Sequence, residues 1–94
     1  MLVELKPTNG RKTYSHKAIV DVTDDGKKLY SYETEVCYTA PPPNFKGYRL
    51  TGSAFYSNTT VTHIADFLYQ EGVYESKPSK GELHNDFSKA NAID

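Results

Sequence analysis

The sequence predicts an α+β fold: a three-stranded antiparallel β-meander covered on one face by a single α-helix, with a loosely ordered C-terminal tail. Three observations predict it. Apolar and aromatic residues alternate with polar ones through several stretches before residue 57, the period of two that marks strands. A turn signal, Asp24-Asp25-Gly26, separates the first two stretches, glycine accepting the positive φ that tight hairpins need. After Ser57 the apolar period lengthens to that of a helix.

Residues 2–5, "LVEL", offer a short edge strand, and residues 11–18 lead into the first main strand. In "KAIVDVT" (17–23), Ala18, Val20 and Val22 share one face, Asp21 and Thr23 the other. "KKLYSYETEVCYT" (27–39) reads as one continuous second strand. Tyr30, Tyr32, Val36 and Tyr38 lie on one face, and Ser31, Glu33 and Glu35 on the other, beside Leu29 and Cys37. "APPPN" (40–44) cannot continue a ladder, because proline has no N–H to donate. The third strand is "GYRLTGSAFYS" (47–57), with Tyr48, Leu50, Ala54 and Tyr56 directed to the helix.

That helix follows Ser57. Asn58, Thr59 or Thr60 caps its start and Gly72 its end. Val61, Ile64, Ala65 and Leu68 form its buried stripe, with Phe67 at the flank. Thr62, His63, Asp66 and Gln70 fall on the opposite, solvent-facing side. Residues 1–72 therefore form one α+β domain. Residues 73–94, interrupted by Pro78 and Gly81, form a tail that is flexible or carries a short helix after Asn85 or Asp86.

The 94 residues carry a formal net charge of −1 with a sequence pI of about 6.3. No basic excess is present to drive general phosphate contacts. Eight tyrosines and no tryptophan make tyrosine a main supplier of apolar area, its hydroxyls kept where partners exist. The single cysteine, Cys37, excludes an internal disulfide and a multi-cysteine metal cluster. The segment "MLVELKPTNG" is too short and charged for a signal peptide, and no apolar run approaches ~18 residues. A cytoplasmic protein of a bacterial host cell, with no membrane association, is expected.

Ser57, His63 and Asp66 raise the question of a catalytic triad. His63 and Asp66 are helix neighbours three apart, but on the face turned to solvent, and Ser57 would have to wrap round to reach them. A base must lie within hydrogen-bond reach of its nucleophile, so the segment reads as a capped helix and the protein as no enzyme. His16, His63 and His84 show no metal-ligand spacing, and neither metal nor cofactor is expected.

Two binding surfaces are legible. Asp21, Glu33 and Glu35 project from one outer sheet face, an acidic footprint for a basic partner. Tyr69 and Tyr74 add aromatic contacts of the kind common at protein interfaces. The alternative is nucleic acid, met by Lys12, Tyr14, Lys17, Lys46 and Arg49, with affinity that falls steeply with salt. An exposed sheet edge also permits a homodimer.

Three segments, "TYSHKA" (13–18), "LYSYETEV" (29–36) and "YSNTTVTHIADFL" (56–68), resemble a family of small uncharacterised proteins encoded by phages and mobile elements of Gram-positive bacteria. The resemblance spans about residues 12–72 and implies an accessory protein of a mobile element, with no activity attached to named residues. The expected function is a protein-binding module that docks on a host or phage protein, as an inhibitor of a bacterial defence protein such as a CRISPR nuclease.

Overall fold

The structure, a computed structural model, describes residues 1–94. The fold is α+β, but the antiparallel sheet has five strands and the helices are two. The strands are β1 (Leu2–Glu4), β2 (Ala18–Thr23), β3 (Gly26–Ser31), β4 (Thr34–Thr39) and β5 (Tyr48–Leu50), in sequential order across the sheet. The helices are α1 (Asn58–Gln70) and α2 (Lys80–Lys89).

The Asp24–Asp25 turn joins β2 to β3 as predicted, with Gly26 at φ +137°. The expected continuous strand 27–39 is instead a second hairpin. Tyr32 and Glu33 turn the chain at φ +51° and +68°, a conformation that side chains other than Gly, Asn and Asp seldom adopt. Nothing in the residue types of this turn announces it, which is why alternation alone read through it.

The second hairpin also reverses several of the expected faces. Leu29 pairs with Cys37 and Ser31 with Thr34. Leu29, Ser31 and Cys37, expected outside, are buried, whereas Tyr30, expected inside, lies on the outer face opposite Glu35, which stays outside as expected. The register shifts at Leu29/Tyr30 so that Val36 is the extra residue of a β-bulge, and Val36 and Cys37 are therefore buried in succession. Of Tyr30, Tyr32, Tyr38, Tyr48 and Tyr56, all expected on the face that the helix covers, only Tyr48 packs against the hydrophobic core, its ring edge-on to Phe67 at 5.7 Å.

The third predicted strand is real only at β5. From Gly52 the chain breaks into turns that lead to α1. The free side of β5 is covered by the C-terminal residues: Leu50 bridges Ile93 in parallel, and Asp94 N–H donates to the Leu50 carbonyl at 2.9 Å.

Ser57, one residue before the predicted caps, is the N-cap of α1, its Oγ accepting from Thr60 N–H at 3.1 Å. At the other end Gly72 (φ +80°) donates to Tyr69 and Val73 to Leu68, the paired bonds of a Schellman motif. The predicted stripe is buried, but so are His63 and Asp66. The reason lies outside the helix: residues 6–17 cross its second face and bring Thr8 and Tyr14 onto it.

The C-terminal stretch is not a loose tail. A capping box starts α2, with Ser79 and Glu82 exchanging bonds of 3.1 and 3.3 Å. Leu83 and Phe87, one turn apart on the same face, are fully buried, Phe87 lying 5.0 Å from the Phe45 ring. Together with Leu29, Leu50, Ile64, Phe67 and Leu68 they form one core between the sheet and the helices, each large side chain contributing about 1.5–3 kcal/mol by burial.

Candidate functional site

The sheet ends at the Tyr32–Glu33 turn, and the N-terminus of α1 starts beside it. Four polar side chains meet there. Ser57 Oγ stands 3.1 Å from Thr60 Oγ1, Thr60 Oγ1 3.2 Å from Ser31 Oγ, and Ser31 Oγ 2.8 Å from His63 Nδ1. Each element supplies its member for a local reason. Ser57 is the cap, Thr60 and His63 occupy one helix face at i and i+3, and Ser31 is the last inward position of β3 before the turn. The chain of bonds therefore runs from the helix N-cap to a buried imidazole.

His63 is 1% exposed. Every side-chain nitrogen or oxygen cut off from solvent has a hydrogen-bond partner. Nε2 has none, so it is the ring's point of contact with solvent. Burial, and then the positive charge of Arg11, hold the imidazole below its ordinary pKa, against an opposing pull from Asp66. It is neutral at pH 7.

Asp66 is occupied elsewhere. Tyr14 OH donates to Oδ2 at 2.6 Å, Thr8 N–H to the same oxygen at 2.9 Å, and Gln70 Nε2 to Oδ1 at 3.0 Å; the Thr8 hydroxyl also donates to Oδ1. Burial works to raise this carboxyl, but hydrogen bonds from Thr8, Tyr14 and Gln70 outweigh it and hold the pKa below the usual carboxylate range. Burial and the Asp66 carboxylate push the Tyr14 phenol up. No hydrogen bond joins His63 to Asp66, and Ser57 bonds Thr60. The triad considered from sequence does not assemble.

Outside the Ser31–Thr60 contact lies a cleft of about 510 Å³, within the range of ligand pockets. Eight of its nine lining residues carry a hydroxyl, and the ninth, Val36, forms the apolar floor. Tyr32 and Tyr56 stand at its rim, 47% and 90% exposed. The hydroxyls of Ser31, Ser57 and Thr60 are engaged with one another, and most of the open wall is apolar, with aromatic area on either side. A smaller pocket, about 210 Å³, adjoins it across Tyr32 and Thr59 and contains Arg11, Lys17 and His63.

The residues named from sequence are dispersed. Glu33 is exposed in the turn beside Tyr32, at the cleft. Asp21 and Glu35 are on the outer sheet face, each with a cation: Asp21 with the Met1 amine at 3.3 Å, Glu35 with Lys28 at 3.7 Å. The acidic footprint is thus divided and partly neutralised. Tyr69 is on the outer surface of α1, and Tyr74 is half-buried, donating to Asp86 at 2.9 Å.

The basic set splits as well. Tyr14 is buried, with Lys17 beside it at the small pocket and Lys12 exposed in the same loop. Lys46 donates to the Val73 carbonyl at 3.3 Å, and Arg49 is bound by Asp94, Pro43 and Asn91 near the opposite sheet edge. Ser31, Thr60, Tyr32, Tyr56 and Arg11 are the site residues that sequence reasoning missed. Their signal is spatial, created by a turn that the residue types do not reveal. Cys37 is buried, and burial pushes its thiol pKa up. No group of three or more His, Cys, Asp or Glu is placed to hold a metal ion, and no helix is long and apolar enough to cross a membrane.

Fold and site together define a small α+β protein, a five-stranded antiparallel sheet with two helices and a hydroxyl-lined cleft where β3, β4 and α1 meet. The chain belongs to a family of unknown function (DUF8033), whose model matches residues 3–85. No curated protein and no solved structure matches it.

Proposed function

We propose that this protein is a binding module rather than an enzyme, and that it docks on a host or phage protein through the face that holds the cleft. One observation carries the reading: Tyr32 and Tyr56 stand exposed on the rim of the 510 Å³ cleft. Tyrosine offers large, rigid contact area with a polar tip, and exposed tyrosines beside a pocket are the residues that most often anchor an interface. Glu33 in the same turn supplies a charge for orientation. The serine that meets a histidine, Ser31, is 2% exposed and its hydroxyl is engaged on both sides, which supports recognition over nucleophilic chemistry.

The resemblance to mobile-element proteins supports a finer reading: an accessory protein acting in the bacterial cytoplasm, where it inhibits a host defence protein such as a CRISPR nuclease. The test is capture of partners from a nuclease-treated Gram-positive lysate by wild-type protein and by a Tyr32→Ala, Tyr56→Ala variant. A stoichiometric protein retained by the wild type and lost by the variant supports docking at this face. Loss of about 30-fold in affinity per anchor corresponds to the 2 kcal/mol of an interface hot spot. Equal capture by both proteins removes the cleft from the account, and recovery of nucleic acid alone removes protein docking. The inhibitor reading further requires that a captured nuclease lose activity as the protein is titrated in.

A further inference from the structure

The small pocket beside the cleft combines two cations with a histidine. Its seven lining residues include Arg11, Lys17 and His63 and no carboxylate. Neither Arg11 nor Lys17 is in an ion pair. Both cations are instead held over aromatic rings, Arg11 at 5.7 Å from the Tyr14 centroid and Lys17 at 5.1 Å from that of Tyr32. The His63 ring lies between those tyrosines, 4.6 Å from Tyr14 and 5.9 Å from Tyr32. A row of three rings thus has a cation at each end, and the pocket contains the one solvent-facing nitrogen of the buried imidazole.

From this arrangement we propose that Arg11, Lys17 and His63 form a binding site for a phosphoryl group, in the form of a phosphate monoester or inorganic phosphate. The guanidinium and the ammonium approach from separate loop positions, and Ser15 and Thr59 add hydroxyls to the same walls. Charged donors make stronger hydrogen bonds than neutral ones, and arginine matches phosphate oxygens in pairs. Thr59 also places the pocket at the N-terminus of α1, whose dipole favours an anion. The volume of about 210 Å³ admits a tetrahedral oxyanion with several waters at about 30 Å³ each. Bound phosphate fixes the His63 tautomer: Nε2 carries the proton and donates to the anion, while Nδ1 accepts from Ser31. The Ser31 hydroxyl then turns to the ring and accepts from Thr60 in place of donating to it. The Ser31–His63 bond is then the device that aims Nε2.

The site shares Tyr32 and Thr59 with the cleft, but Tyr56 borders the cleft alone, so Tyr56→Ala separates this proposal from the protein-docking reading. Titration of inorganic phosphate into the protein, followed by the ring ¹⁵N and ¹H resonances of His63 at constant ionic strength against chloride, tests it directly. A saturable shift that marks Nε2 as protonated is expected. Arg11→Gln with Lys17→Gln lowers the phosphate affinity at least tenfold, and Tyr56→Ala leaves it unchanged. The two cations are exposed, so their replacement keeps the fold, which circular dichroism verifies. O-phosphoserine and adenosine monophosphate in parallel titrations identify the carrier, the tighter one showing which molecule presents the phosphoryl group. Absence of a saturable shift, an equal response to acetate, or an undiminished response in the double variant overturns the proposal.

Discussion

Ser31 and His63 are 32 positions apart in the chain, yet Ser31 Oγ and His63 Nδ1 meet at 2.8 Å in the interior. This bond ties the end of β3 to the second turn of α1, and Thr60 shares the same hydroxyl at 3.2 Å. Ser31→Ala strands a buried imidazole nitrogen and removes a partner of Thr60. A loss of about 1–3 kcal/mol follows from leaving a buried polar group unpaired, seen as a lower urea midpoint with an unchanged slope.

Tyr14 extends the polar interior to the N-terminal loop. Its hydroxyl donates to Asp66 at 2.6 Å, a bond to a charged acceptor, and such bonds contribute about 1.5–3 kcal/mol. Tyr14→Phe keeps the ring against His63 and removes only that bond. The variant should lose stability in that range, and its loop, with Arg11 and Lys12 exposed, should be cut faster by trypsin. A stability equal to wild type would show that the remaining donors, Thr8 and Gln70, suffice for the carboxylate.

Acidification should weaken the fold in two stages. His63 is held below its ordinary value of 6.5, so below about that pH the unfolded chain binds the proton that the native state refuses. Its contribution is therefore complete above 6.5 and declines as pH falls. Asp66 is held below 3.8 by its donors, despite burial, so its contribution is present above 3.8 and is lost as pH falls through the folded value. Urea midpoints measured from pH 8 to pH 3 should show both declines, and His63→Gln should remove the upper one.

The parts of the fold that were legible in the sequence are those fixed by local chemistry. Asp24-Asp25-Gly26 produced its hairpin, and Gly72 ended its helix through a positive φ. Tyr32 and Glu33 also turn the chain, but neither residue type favours the left-handed backbone it adopts there, so the turn is imposed by the pairing of β3 with β4. The faces assigned to Leu29, Tyr30, Ser31 and Cys37 are inverted, while Glu35 stays on the outer face as expected. The burial of His63 and Asp66 was equally invisible, because the surface that covers them comes from Thr8 and Tyr14, more than 45 residues earlier. One missed element was readable. Ser79 and Glu82 have capping-box spacing, and Leu83 and Phe87 follow at helix spacing. Pro78 and Gly81 obscured it, although proline before an N-cap is compatible with a helix start.

The C-terminal helix offers the next prediction. Phe87 is fully buried against Phe45 in the common core, so Phe87→Ala should cost about 3–5 kcal/mol. For a domain whose whole stability is of the order of 5–15 kcal/mol, this is a large fraction. A loose tail would make the same substitution nearly silent, and the shift in thermal midpoint distinguishes the two.

Two glycines with positive φ should respond differently to alanine. Gly72 lies at φ +80° with open space where a Cβ would stand, so Gly72→Ala bears only the backbone cost, about 1–2 kcal/mol for a left-handed residue. Gly26 lies at φ +137°, and a Cβ there would approach Thr39 Cβ to 2.6 Å and its Cγ2 and Oγ1 to 2.9 Å. Thr39 cannot simply swing aside, because its Oγ1 accepts the Lys27 N–H at 3.0 Å beside the turn. Gly26→Ala therefore combines strain, a clash with a Cβ that no rotamer moves, and loss of a backbone hydrogen bond. Its destabilisation should be at least twice that of Gly72→Ala by chemical denaturation. Equal losses would mean that the β2–β3 hairpin shifts away from β4 and admits the methyl group.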